Sequence, residues 1–294
     1  MTHNRTGRAR AFAAAVCAAA SIALPPSHLF ADAGAGQAVP HADPHTVYER
    51  DEAPRLPVLV YHQIRGRDDA TADGMTVISL SRFTSQMAYL HDQGYATLSM
   101  DDTVAFLKGG TFPPRIVALH FDDGWQSAAR ALPVLERYGF KATFWIIGTE
   151  PGSGELFMDW QALMDLEKNP NYRVQSHTMS HPFADGDSLL DWEAGRTPGR
   201  SGTDVTHEIA DSRTMLEKKL GHPVPYLAWP AGVFDDALIR RAQQAGYTAL
   251  VTTDDGANHP GGDPLQIHRI VVNGACDDDV FPLLLADGRY RQCP

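Results

Sequence analysis

Positive charge is scarce in this sequence. Its 294 residues carry 25 Lys and Arg against 36 Asp and Glu, a formal net charge of −11. No basic patch stands out, which argues against nucleic acid or anionic membrane as a partner. A membrane span is missing as well: the alanine-rich stretch from Ala11 to Leu24 is shorter than the ~20 apolar residues a transmembrane helix needs. Cysteine is rare, with only three. Cys17 follows Val16, which is not the small residue a lipoprotein cleavage site needs, so a lipid anchor is not expected. Cys276 and Cys293 remain, and in an oxidising compartment they could close the C-terminal segment. No internal repeat is visible.

The N-terminus has the layout of a secretory signal. Arg5, Arg8 and Arg10 precede the apolar stretch, and the small-residue site Ala31-Asp32-Ala33 follows. Residues 1–33 are therefore expected to be a signal peptide, and the protein to be exported, periplasmic or extracellular. Cleavage after Ala33 would leave 22 basic and 35 acidic residues, a formal −13. Such a surface tolerates or attracts a cationic polymer. Residues 34–55, rich in Gly, Pro, His and Asp without periodicity, are expected to be a flexible leader. A single domain is expected over 56–294, where strand patterns alternate with helical ones.

Strands are predicted at 57–61, 115–120, 142–147, 172–176, 226–229, 248–252 and 267–272. Helices are predicted from Ser81 to Gly94, from Asp101 or Asp102 to Gly109, and over 127–138, 160–166, 204–220 and 235–245. Residues 182–203 read as loop. The alternation indicates an α/β domain with a parallel sheet, either a barrel or a doubly wound sheet.

In such folds reactive groups collect where strands end. Three polar clusters fall there: His62, the pair Asp122-Asp123, and the run Ser176–His181. Adjacent carboxylates oppose each other's ionisation. His177 and His181, four residues apart, offer two imidazoles to one side. Two imidazoles and one carboxylate form a common catalytic zinc set with an open position for water. With Asp123 as the carboxylate, a divalent cation offsets the repulsion. Asp122 is then free to act as a base on the bound water.

HFDDG at 120–124 and SHTMSH at 176–181 together resemble the polysaccharide deacetylase family, carbohydrate esterase family 4, and so does YLAWPAG at 226–232. The resemblance spans roughly 56–273 and implies an irregular seven-stranded (β/α) barrel that removes N-acetyl, or less often O-acetyl, groups. It implies Asp122 as general base and Asp123, His177 and His181 as ligands of one divalent metal, Zn2+ first, with Co2+, Ni2+ or Fe2+ as alternatives. PVLVYHQI, ending a strand at His62, resembles the circularly permuted branch of secreted deacetylases acting on biofilm poly-N-acetylglucosamine. His62 is then the general acid, with His268 as its competitor. Ala231 would offer a backbone N–H to the oxyanion, and Trp229 an apolar wall. The family's third-motif arginine is absent, its position being Ala228, and Lys141 is a candidate substitute beside Asp122. Asp254 and Asp255 loosely match the acidic cluster that orients the histidine. The expected substrate is an acetylated amino-sugar polymer. Alternatives are a peptidoglycan or chitin deacetylase, an O-acetyl xylan esterase, or a weakly catalytic carbohydrate-binding protein of the same fold.

Overall fold

Short runs of apolar, β-branched and aromatic residues, VLVY, IVALHF and ATFWI among them, are the staves of the fold. The structure is a computed structural model that describes residues 54–67 and 73–293. The expected signal peptide and nearly all of the expected leader lie outside the described residues.

In chain order, β1 (Val58–Tyr61), β2 (Gln63–Arg65) and β3 (Val77–Ser79) lead into α1 (Leu80–Asp92). Next come β4 (Ala96–Leu98), α2 (Met100–Leu107) and β5 (Ile116–Phe121). A 3-10 segment, Gln126–Ala131, enters α3 (Leu132–Tyr138), followed by β6 (Ala142–Ile146), α4 (Trp160–Leu166) and β7 (Tyr172–Ser176). A hairpin of β8 (Phe183–Ala184) and β9 (Asp187–Ser188) precedes α5 (Leu189–Glu193), α6 (Gly202–Thr206), a π-helical turn (His207–Asp211) and α7 (Ser212–Leu220). Last are β10 (Tyr226–Ala228), α8 (Asp236–Gln244), β11 (Ala249–Val251), β12 (Ile270–Val271) and α9 (Phe281–Asp287).

Seven strands lie parallel in the order β11-β10-β7-β6-β5-β1-β12, with β4 against the first half of β5. The two ends meet at one bridge, Val251 to Ile267, where Thr252 N–H donates to the Ile267 carbonyl at 2.9 Å. The sheet thus curls into an irregular (β/α) barrel, as the resemblance implied.

Side chains alternate along each strand, so every second residue faces the barrel axis. Leu59, Tyr61, Leu119, Phe121, Phe144 and Val174 point outward into the largest hydrophobic cluster, under the helices. Val58, Ala118, Trp145, Ala228, Val251 and Ile267 share the inner cluster. Extending the inner parity upward leads to His62, Asp122, His177 and Arg269. The alternation that packs the core therefore also delivers polar side chains to the mouth, at the carboxyl ends of the strands.

Three local expectations differ from what is observed. Ser79, not Ser81, caps α1, its hydroxyl accepting from the Arg82 amide at 3.3 Å. The predicted helix over 204–220 is broken by the π-helical turn. The predicted loop 182–203 holds the β8–β9 hairpin and α5, the helix started by the capping contacts of Ser188 and Asp191. Cys276 and Cys293 form a disulfide with their Cα atoms 5.1 Å apart. Arg82 of α1 donates to the carbonyl of Cys276 at 2.6 Å, tying that segment to the barrel wall. No helix among the described residues is long and apolar enough to cross a membrane.

Candidate active site

Asp122 ends the inner row of β5 and is 2% exposed. An ionised carboxylate there needs a counter-charge, and Arg269 supplies it. Its Nη1 and Nη2 donate to Oδ1 and Oδ2 of Asp122 at 2.8 and 2.9 Å. The third donor of the fork, Nε, reaches the Thr252 carbonyl at 2.6 Å, so the guanidinium is fixed in orientation although 0% exposed. Burial by itself would push the Asp122 carboxyl up. The positive charge of Arg269 overrides it and holds the group well below the usual carboxylate range.

This corrects the expectation for Lys141. Lys141 precedes β6, at the amino end of the barrel, and its Nζ pairs with Asp102 Oδ2 at 2.6 Å. The cation beside Asp122 comes instead from the strand that closes the barrel. Arg269 was legible in LQIHRIVV only through parity: if one of two adjacent residues faces outward, the other faces inward.

Asp123, the next residue, would point away from the mouth in a continuing strand. A left-handed backbone, φ 72°, turns it back. The Trp125 indole N–H donates to Asp123 Oδ2 at 2.8 Å, leaving Oδ1 facing the histidines. His177 Nε2 lies 3.5 Å from that oxygen and 3.7 Å from Asp122 Oδ2, and His181 Nε2 lies 3.9 Å from Asp123 Oδ1. His177 Nδ1 is 2.9 Å from the Ala228 carbonyl, which only accepts, so Nδ1 carries the proton and Nε2 the lone pair. The ligand atoms of Asp123, His177 and His181 all lie within 4.8 Å of one another. Two neutral imidazole nitrogens and one carboxylate oxygen, each already oriented by a second contact, fit a divalent metal. Burial, then the neighbouring His177, lowers the His181 imidazole to about 4, so it is neutral and ready to ligate near pH 7.

The loop carrying the histidines is held from beneath. Glu208, in the π-helical turn, is buried, and its Oε2 accepts from the amides of Met179 and Ser180 at 3.0 and 2.7 Å. Its Oε1 accepts from the Ser180 hydroxyl at 2.6 Å. The extra residue of a π turn is a common way to aim one side chain at a functional site. Among the described residues, the non-glycine positions with left-handed φ are Asp123, Thr178, His181 and Ala231, all at this mouth. Strain of this kind collects where the surroundings over-determine a site. Neither Glu208 nor Trp125 emerged as a site residue from sequence. Glu208 shares a helical stripe with buried Val205, Ser212 and Leu216, and a carboxylate on an apolar stripe was the available signal.

The remaining sequence candidates divide. His62 follows β1 with inner parity and neighbours both Asp122 and His181. His268 has outer parity. Its amide and carbonyl are both tied to the Asn258 side chain, away from Asp122. Ala231 is exposed with φ 51°, on the turn after β10, and its carbonyl accepts from Thr253 Oγ1 at 3.0 Å. Gly232 beside it has φ 72°, and a Cβ there would fall 2.0 Å from the Thr253 hydroxyl, so only glycine lets the turn sit this close. Trp229 is no wall: it has outer parity, is fully buried with Leu227 and Leu238, and stacks on Phe234. Asp254 and Asp255 do not orient His62. The Asp254 carbonyl accepts from the Arg269 amide, and the Asp255 carboxylate accepts from the Tyr290 amide.

Residues 109–250 match the family model described as polysaccharide deacetylase. A protein of Bacillus subtilis described as a polysaccharide deacetylase, YxkH, is 26% identical over 242 residues, 81% of this chain and 79% of that one. A poly-beta-1,6-N-acetyl-D-glucosamine N-deacetylase of Staphylococcus epidermidis is 25% identical over 282 residues, 90% of this chain and 91% of that one. Among solved structures, the Streptococcus pyogenes deacetylase PplD in complex with acetate superposes with a TM-score of 0.68 at 23% identity, covering 80% of this chain and 99% of that one. IcaB from Ammonifex degensii gives 0.66 at 23% identity, covering 80% and 97%. These two likenesses concern the fold.

Proposed function

Because this chain belongs to the polysaccharide deacetylase family, as a hydrolase of C–N bonds other than peptide bonds, we propose that it is an exported, metal-dependent N-deacetylase of a poly-N-acetylglucosamine-like polymer. The observation that carries the reading is the convergence of the Asp123, His177 and His181 donors beside a buried Asp122 that Arg269 keeps ionised. The polymer is suggested by the relatives named for it. Export is supported by the signal-like N-terminus and by the disulfide, which suits an oxidising compartment.

Asp123, His177 and His181 would hold the cation, Zn2+ before Co2+, Ni2+ or Fe2+ in such a mixed N/O set. When bound, a divalent ion there lowers the pKa of a coordinated water and polarises the acetyl carbonyl. Asp122 accepts the proton of the attacking water. Arg269 keeps that carboxylate charged and fixes its plane by two parallel bonds. The Ala231 N–H, on its left-handed turn, faces the developing oxyanion. His62, protonated, donates to the departing amine, which is a poor leaving group without that proton.

The test is acetate release by the metal-loaded protein from β-1,6-poly-N-acetylglucosamine, chitin oligomers, peptidoglycan and acetylated xylan. The first is expected to be the best substrate. Preference for chitin or peptidoglycan would reassign the polymer, and preference for xylan would make it an O-acetyl esterase. Stoichiometric metal without turnover on any of them would leave a carbohydrate-binding protein.

A further inference from the structure

A cleft of about 720 Å3 opens at the amino end of the barrel, opposite the mouth. That is within the ~300–1,000 Å3 of small-ligand sites. It opens where two neighbouring strands part. β7 is in register with β6 at five pairs, but with β10 only at Leu227 to Ser176. Below that pair a side chain takes the place of the ladder, Gln175 Oε1 accepting from the Tyr226 amide at 3.2 Å. Alternation turns Arg173 and Gln175 to the same face of β7 as His177, and both line the cleft. Tyr226 lines it from β10, and its hydroxyl donates to Asp101 Oδ1 in the first turn of α2. Met164, Leu220, Pro223 and Pro225 add apolar surface.

Most of the charge around the cleft is already matched. Glu167 pairs with His222 at 2.7 Å, and its other oxygen accepts from the Val174 amide at 2.7 Å. Lys168 pairs with Asp165 at 2.6 Å. Arg173 and Asp101 differ. Both are exposed. Arg173 Nη1 donates to the Tyr172 carbonyl at 3.0 Å, and among the described residues the guanidinium pairs with no carboxylate. Asp101 has the Tyr226 hydroxyl and no cation. Gln175 is 4% exposed, and its Nε2 donates to no group among the described residues. A guanidinium and an amide donor side by side on one strand face suit a carboxylate. Asp101 suits a protonated amine, and the apolar wall suits what joins the two. We propose that this cleft binds a short peptide by its charged ends, the C-terminal carboxylate at Arg173 and Gln175 and the N-terminal ammonium at Asp101. None of these side chains reaches the mouth, so the site stands whether or not the barrel is a deacetylase.

The test is calorimetric titration of the metal-loaded protein with the tripeptide Leu-Ala-Leu, its C-terminal amide, and its analogue lacking the terminal amine. The free peptide should bind, and each of the other two about tenfold more weakly, one charged contact being lost each time. Arg173→Met should weaken the free peptide by a similar factor and abolish the difference between acid and amide. Asp101→Asn still accepts from the Tyr226 hydroxyl. It should abolish the difference made by the terminal amine and keep the difference between acid and amide. Should a variant not fold, the three ligands on the wild-type protein decide alone. No binding of the free peptide at millimolar concentration, an amide that binds as tightly as the acid, or discrimination that survives in both variants would overturn the site.

Discussion

Replacing Arg269 by Met would leave the Asp122 carboxylate buried and without its counter-charge. Met replaces the aliphatic stem, ends where Nε stands and offers no donor to the Asp122 oxygens. Breaking a buried pair from one side typically costs about 3–5 kcal/mol, because the surviving charge is stranded. The cost should depend on pH in a definite direction. In the wild type the folded-state carboxyl lies below its unfolded value of ~3.9, so the pair contributes stability above that pH and loses it as pH falls through the folded value. In Arg269→Met burial is no longer opposed by the guanidinium, and the carboxyl rises above ~3.9. The variant's deficit is then largest near pH 7 and shrinks as acid neutralises the group. Urea unfolding of metal-free protein at pH 7 and pH 4.5 measures both. Arg269→Met/Asp122→Asn, with no charge to strand, should recover much of the loss at pH 7. A deficit under about 1 kcal/mol at pH 7, or a double variant no more stable than the single one, would refute the role given to this pair.

Three further outcomes are expected. His177→Ala should lose most bound metal in an equilibrium dialysis assay, and wild-type metal content would remove His177 from the ligand set. His62→Ala should keep metal yet lose far more activity on an amide than on an activated acetyl ester, while His268→Ala is mild on both; the reverse pattern would make His268 the acid. His120, fully buried beneath Asp122, is pushed down to about 3, by burial first and then by Arg269. The unfolded chain takes up that proton below ~6.5 and the folded one does not, so stability falls with acid between those values by up to about 1.4 kcal/mol per pH unit. His120→Leu should flatten that limb in urea titrations at pH 6.5 and 5, and an unchanged slope would show that His120 does not contribute to it.

Much of the mouth was legible because it is periodic or local. The strands carry apolar side chains outward by alternation, and DDG with the spaced histidines falls at strand ends, so Asp122, Asp123, His177, His181 and His62 could be read as one group before any contact was known. What escaped depends on contacts distant in sequence. Arg269 reaches Asp122 only because β12 pairs with β1, a register no local pattern specifies. Lys141 was a plausible cation by proximity to a strand, but at the wrong end of it. Trp229 sits one residue out of phase with the inner row, and one residue reverses the face it serves. Glu208 lay on the stripe of Val205 and Leu216, but its hold on the Met179 and Ser180 amides is a contact 28 and 29 residues distant that no local pattern specifies.

The closing pair of strands has a consequence for how the protein comes into being. β1 carries the strand that ends at His62, β12 carries Arg269's neighbour Ile270, and the two are the first and last staves of the barrel, registered Leu59 to Ile270 and Val60 to Val271. A ribosome delivers Asp122, Asp123, His177, His181 and His62 well before it delivers the arginine that keeps Asp122 charged. A nascent chain halted after β11 would hold all five of those side chains but not the buried guanidinium that pairs with Asp122. Long-range pairing of this kind is among the slower steps of folding. Hydrolytic competence is therefore a late event, reached when the two ends of the barrel join, and the onset of turnover during refolding would serve as a clock for barrel closure.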